Sequence, residues 1–186
     1  FESMDDTAFW YMPKLQRVDL GGTKALTDSA FRYDKALAEV NFRPDLNRLT
    51  DVGDYAFDGS ALVSVSLPDS VTSIGKGAFA GNAALRSVHL GSGLTSIGES
   101  AFVDASNLAS LSVAPTNSAF SVEDGVLYSK GDTGRTLVLY LPTNGASEFT
   151  VPDGTVAIAD TAFAHNMSLR RVVLPEGLTT IGYGAF

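Results

Sequence analysis

Cysteine is absent from the 186 residues, which excludes disulfide staples and thiolate metal sites and leaves the compartment open. Basic residues are few: 13 Lys and Arg against 21 Asp and Glu give a formal charge of -8, with no Lys/Arg run standing out. Binding to a phosphate backbone works by counterion release from basic patches, so no nucleic-acid partner is expected. No apolar stretch approaches the roughly 20 residues of a membrane helix. The first residues also carry no basic-then-apolar leader pattern. What the chain has is 45% hydrophobic residues over a length sufficient for one domain with a real core.

Those hydrophobic residues recur at a fixed period. Ala-Phe places phenylalanines at Phe9, Phe31, Phe57, Phe79, Phe102, Phe163 and Phe186, most of them 22 or 23 residues apart. Five positions before each lies an apolar anchor: Met4, Leu26, Val52, Ile74, Ile97, Ile158 and Ile181. Repeated Phe at one phase is read as core and not as an aromatic ligand box. A second apolar line has the period of a strand, as in Leu85-Arg-Ser-Val88-His-Leu90 and Leu169-Arg-Arg-Val172-Val-Leu174. In V-x-L the flanking side chains share one face and the middle one takes the other, so each strand offers a core face and a wet face. Pro68, Pro152 and Pro175, with Gly91 to Gly93, close the strands. Gly75, Gly98 and Gly182 after the anchors predict a bend into a short helical turn carrying Ala-Phe.

Such a unit cannot fold alone. Its buried side chains contribute roughly 1.5 to 3 kcal/mol each, against about 1 to 2 kcal/mol of backbone entropy for every ordered residue. Stacking is therefore required, and the chain reads as one right-handed, β-rich solenoid of about seven units spanning residues 1–186, with a parallel sheet on its concave face. Between Phe102 and Phe163 the interval is 61 residues, and the frame resumes at Phe149-Thr-Val151-Pro152 and Ile158. The intervening Val126 to Ser129 and Thr136 to Pro142, joined by Lys130 to Gly134, predict a β-hairpin set into the array around residues 114–147.

The phrase Leu-Pro-Asp-Ser-Val-Thr-Ser-Ile-Gly-Lys-Gly-Ala-Phe, residues 67–79, resembles the BspA-type leucine-rich repeat family, and residues 88–102 and 172–186 match it again. Glu123-Asp-Gly-Val-Leu-Tyr128, followed by the run ending Tyr140-Leu-Pro142, resembles a variant unit of that family. The resemblance implies a bacterial or protist protein, secreted or on the cell surface, whose relatives adhere to host proteins and other cells. The family often carries Cys shortly after Ala-Phe, whereas Ala80-Gly81-Asn82 stands here. Residues 1–60 match less well, with ten residues from Phe42 to Val52 where seven is usual in this chain. The sequence begins and stops within a unit and so reads as part of something longer.

Candidate chemistry is sparse. Ser66, His89 and Ser112 are expected as adjacent side chains on the wet face, but a hydrolytic set also needs a buried orienting acid and an oxyanion site, so no enzyme is expected. His165 lacks a His or carboxylate at i+3 or i+4 and reads as a surface loop residue. Gly93 to Ser100 has the spacing of a phosphate loop, yet Glu99 stands where Lys is needed. Glu123-Asp124-Gly125 offers oxygens for calcium and is read instead as a hairpin turn, since regular calcium-loop spacing is missing. Asn166-Met-Ser168 is a glycosylation sequon. No cofactor and no metal are expected.

The expected interaction surface is the wet strand face, composed of Arg17, Asp19, Glu39, Asn41, Ser64, Ser66, Ser87, His89, Ser110, Ser112 and Arg171. Its middle is small and polar and its ends are charged. That suits an extended polypeptide, and the resemblance suggests a host extracellular-matrix or cell-surface protein as partner. It lacks the aromatic and Arg anchors that concentrate binding energy. A structural spacer and an accessory domain of a larger secreted enzyme are the alternatives. Insertions project from scaffolds, so Tyr128 and Tyr140 of the hairpin are candidates for recognition, with packing as the competing role.

Overall fold

The structure, a computed structural model, describes residues 4–186. Its coils alternate a longer and a shorter strand. The first four coils contribute β1 Arg17–Asp19 and β2 Ala25–Leu26, β3 Glu39–Asn41 and β4 Asp51–Val52, β5 Ser64–Ser66 and β6 Ser73–Ile74, then β7 Ser87–Leu90 and β8 Ser96–Ile97. After β9 Ser110–Val113 come β10 Phe120–Glu123, β11 Val126–Gly131 and β12 Gly134–Tyr140, then β13 Glu148–Thr150, β14 Thr155–Ile158, β15 Arg171–Val173 and β16 Thr180–Ile181. Equivalent strands that share a sheet pair in parallel from coil to coil, as Val65 with Val88 and Val88 with Leu111. The solenoid and its parallel sheets are those expected from the period.

The middle residue of each longer strand alternates as expected. Val65 and Val88 are 2% exposed, while Ser64 and Ser66 face outward. Phe31, Phe57, Phe79 and Phe102 stack face to face, with centroids 5.3, 5.5 and 5.6 Å apart and planes within 4 to 7°. Offset stacking of this kind adds about 0.5 to 1.5 kcal/mol per pair beyond burial. The terminal rings Phe9 and Phe186 stack on one side only and are 39% and 62% exposed.

The expected short helical turns are absent among the described residues. Around each Phe the residues two before and two after instead take positive φ: Ser29 (57°) and Tyr33 (62°), Gly77 (57°) and Gly81 (65°), Ser100 (54°) and Asp104 (62°), Thr161 (56°) and His165 (62°). The cause is competition for the N–H groups. Those of Ser29, Phe31 and Tyr33 donate to the carbonyls of Asp54, Ala56 and Asp58 in the next coil and are unavailable to a helix. The anchor glycines also have another reason than a bend. A Cβ on Gly53 would stand 2.6 Å from the Thr27 carbonyl carbon, so Gly53, Gly75, Gly98 and Gly182 stand where adjacent backbones touch, while Thr27 and Ala159 occupy the same phase in their coils.

The inserted element is wider than a hairpin. β10, β11 and β12 form an antiparallel meander, and β12 then pairs in parallel with β14. Asp124 (φ 49°) and Gly125 (φ 78°) make the first two-residue turn, the primed geometry that suits hairpins. The second loop is tighter than Lys130 to Gly134, because Gly131 pairs with Gly134 across only Asp132 and Thr133. Leu127, Leu139 and Leu141 enter the core of the preceding coils, whereas Val126, Tyr128, Leu137 and Tyr140 enter a second core with Phe163. The meander is a septum between two cores, so the expectation of a projecting recognition hairpin fails for its body.

Candidate functional site

Parallel register assembles the expected face into cross-strand rows. Ser64, Ser87 and Ser110 form one row, and Ser66, His89 and Ser112 the next. At one end Arg17 lies opposite Glu39 and Asp19 opposite Asn41; at the other Arg171 lies opposite Glu148. All of these positions are exposed except the half-buried Asn41 and Ser87. Val18, Val40 and their equivalents hold the strands to the core, so burial on one face fixes display on the other.

Two features were not anticipated. The face is interrupted, with β1–β3, β5–β7–β9 and β13–β15 forming separate sheets, because the extra residues before β4 and the meander after β9 separate successive longer strands. The charged ends are also self-compensated: Arg17 lies 3.7 Å from Glu39 and 3.5 Å from Asp19, and Arg171 lies 3.6 Å from Glu148. A hydrogen bond from Asn41 Nδ2, with Arg17 nearby, holds the Asp19 carboxyl below its ordinary pKa. Glu148 and Thr150 belong to the face although the sequence reading passed over them; Glu148-Phe149-Thr150 carries the alternation of Ser64-Val65-Ser66.

His89 Nδ1 lies 2.9 Å from Ser112 Oγ. No carboxylate among the described residues is hydrogen-bonded to His89; Asp69, which shares its field, accepts the Ser92 N–H at 2.7 Å. The pair is thus an exposed polar contact without an orienting acid. Glu123 of the turn considered for calcium pairs with Arg135 at 2.8 Å, and no cluster of potential metal ligands is found among the described residues. The amide of Asn166 donates to the carbonyls of Leu141, Pro142 and Asn144, so this sequon asparagine is committed to the backbone. His165 does have a carboxylate partner, Asp104, brought beside it by the fold.

The hairpin tyrosines are not surface groups. Tyr128 is 1% and Tyr140 0% exposed. Burial pushes the Tyr128 phenol up to about 12, with the Arg135 guanidinium 4.5 Å above its ring. Recognition by these rings is overturned, because the alternation of β11 and β12 turns both into the second core.

Aromatic and Arg anchors exist at the turn edge of the first coils. Arg32 lies between the rings of Tyr33 and Tyr55, 4.7 and 4.8 Å from their centroids, and its Nε pairs with Asp58 at 2.8 Å. Trp10 (53%), Tyr11 (59%) and Tyr33 (37%) are exposed nearby. Tyr11 and Tyr33 border a hollow of about 650 Å³ floored by Gly59, Ala61, Gly81 and Ala83. The sequence signal was available, since Tyr11, Tyr33, Gly59 and Gly81 occupy one column two residues after Phe.

Against known families, the chain matches a model described as BspA type leucine rich repeat region, in six copies over residues 2–127 and 142–186. No curated protein matches it. Among solved structures it is similar to a leucine-rich repeat protein from Eubacterium ventriosum, with 26% identity and a TM-score of 0.88 over 97% of this chain and 47% of that one. It is also similar to the pneumococcal vaccine antigen PcpA, at 25% identity and a TM-score of 0.69 over 100% of this chain and 51% of that one. A leucine rich cell surface protein from Faecalibacterium prausnitzii shares the fold at 23% identity, with a TM-score of 0.65 over 97% of this chain and 60% of that one. The chain thus spans about half the length of the structures it resembles.

Proposed function

Because the chain belongs to the BspA-type leucine-rich repeat family, we propose that it is a non-enzymatic protein-binding module of a secreted or cell-surface protein, engaging an extracellular-matrix or cell-surface protein through its longer-strand face. The observation that carries the reading is the register of Ser64, Ser87 and Ser110 beside Ser66, His89 and Ser112, an array of hydrogen-bonding side chains on one parallel sheet, exposed except for the half-buried Ser87. Rigid display reduces the ordering cost of binding. Leucine-rich repeats generally serve protein interaction, and the description of the pneumococcal relative as a vaccine antigen supports a surface location.

The test is capture of matrix proteins by the purified chain, compared with Ser87→Arg combined with His89→Glu. Loss of at least tenfold in retention supports the face. Undiminished retention assigns contact elsewhere, first to Trp10, Tyr11 and Tyr33. A spacer role is favoured by one observation, the internal pairing of Arg17 with Glu39 and Arg171 with Glu148, which leaves the ends little charge for a partner. A spacer captures nothing and tolerates these substitutions.

A further inference from the structure

Backbone pairing on the shorter-strand side stops at one step. Thr72 and Gly75 donate their N–H groups to the carbonyls of Thr50 and Val52, and Thr95 and Gly98 donate to those of Thr72 and Ile74. The next coil makes no such bonds: among the described residues the carbonyls of Thr95 and Ile97 and the N–H of Ser100 have no partner. β8 is an edge strand, and β10, the first strand after β9, belongs to another sheet. Exposure records the break. Leu26, Val52 and Ile74 are at most 2% exposed, whereas Ile97 at the same phase is only half-buried.

The second sheet does not cover this edge; it presents a face to it. Ser129, Thr136, Ala157 and Thr180 form one cross-strand row and line a cleft of about 470 Å³ together with Ser96 and Ile97. All four are small. Ser100 Oγ and Thr161 Oγ1, 3.3 Å apart, join the two sides of its lining. The charged residues in its lining are Glu99 and Asp160, both acidic.

We propose that this cleft is a second interaction surface, independent of the longer-strand face, that takes a short extended segment of a partner polypeptide as an added parallel strand on β8. Main-chain groups supply the chemistry, as in strand addition generally. Exposed edges ordinarily are blocked by charge, proline or a bulge, whereas Ser96-Ile97 has none of these. The small-residue floor admits modest side chains, and the carboxylates select against acidic ones.

The probe is a fluorescent, acetylated hexapeptide copying residues 72–77, Thr-Ser-Ile-Gly-Lys-Gly, because this segment pairs on the preceding coil in the required register. Saturable anisotropy is expected. It should weaken at least tenfold with Ala157→Trp, which fills the cleft, and equally when the peptide amides corresponding to Thr72 and Gly75 are N-methylated, which acts on the unmodified protein. Ser87→Arg with His89→Glu should leave the affinity unchanged, separating this site from the longer-strand face. No binding up to millimolar peptide, or binding indifferent to both blocks, overturns the proposal. So does a dimer of the free chain that Ala157→Trp dissociates, since that gives the edge to a second copy.

Discussion

Tyr140 stacks on Phe163 with centroids 5.0 Å apart and planes inclined at 28°, and its N–H donates to the Ala162 carbonyl at 2.8 Å. The same bond runs from Phe57 to Ala78 and from Phe79 to Ala101. A tyrosine of the meander therefore serves as the first ring of the ladder in the second core. Its hydroxyl is buried without a hydrogen-bond partner, and burial raises its pKa. Tyr140→Phe should keep or raise stability by up to about 1 to 2 kcal/mol, because an orphaned polar group is removed. Tyr140→Ala should cost about 3 to 5 kcal/mol. Urea denaturation followed by circular dichroism measures both, and a destabilised Phe variant would mean that the hydroxyl is satisfied in solution.

Position along the ladder should grade the cost of losing a ring. Phe57 is fully buried between Phe31 and Phe79, whereas Phe9 touches one ring and is 39% exposed. Phe57→Ala is expected to lose about 3 to 5 kcal/mol and Phe9→Ala less than half of that. Equal losses would contradict nearest-neighbour stacking as the source of stability.

Asp34 occupies the column of Asn82 and Asn166, three residues after Phe. Asn82 donates to the carbonyls of Phe57, Phe79 and Ala80. Asp34 is fully buried; its Oδ1 accepts the Met12 N–H and its Oδ2 has no partner. Burial raises its pKa. A carboxyl raised in the folded state contributes stability in full below its unfolded pKa, about 3.9, and that contribution is lost as pH rises through the folded value. Asp34→Asn should therefore raise the melting temperature at pH 7 and do little at pH 3. A gain that is the same at both pH values would sink this account.

Removing the Asn82 amide leaves the Phe79 carbonyl without its donor and the buried Leu62 N–H without its acceptor, while the Phe57 and Ala80 carbonyls keep the N–H groups of Ser60 and Gly59. Asn82→Ala should cost about 2 kcal/mol or more, read as a shift in the urea midpoint, while Asn107→Ala, whose Nδ2 serves only Ala83 at an exposed site, should cost a fraction of that. Similar shifts for the two would show that water satisfies the Asn82 site.

The sequence alone determined the solenoid, because a period of 22 or 23 residues with Phe and V-x-L at fixed phase admits one way of burying every unit, against its neighbours. It determined the wet face for the same reason: Val65 and Val88 go inward, so Ser66 and His89 go outward. The anchor glycines were visible too, but their cause, contact between coils, was not. Only the tertiary structure decided the course of Val126-Leu127-Tyr128. All three are apolar enough to bury, and side-chain alternation divides them between two cores that do not exist until the coils are stacked. It likewise decided that β8 ends a sheet and that Asp104 meets His165. Those outcomes depend on where the meander directs the chain between residues 113 and 148, and local pattern carries no information about which of two available edges a strand will join.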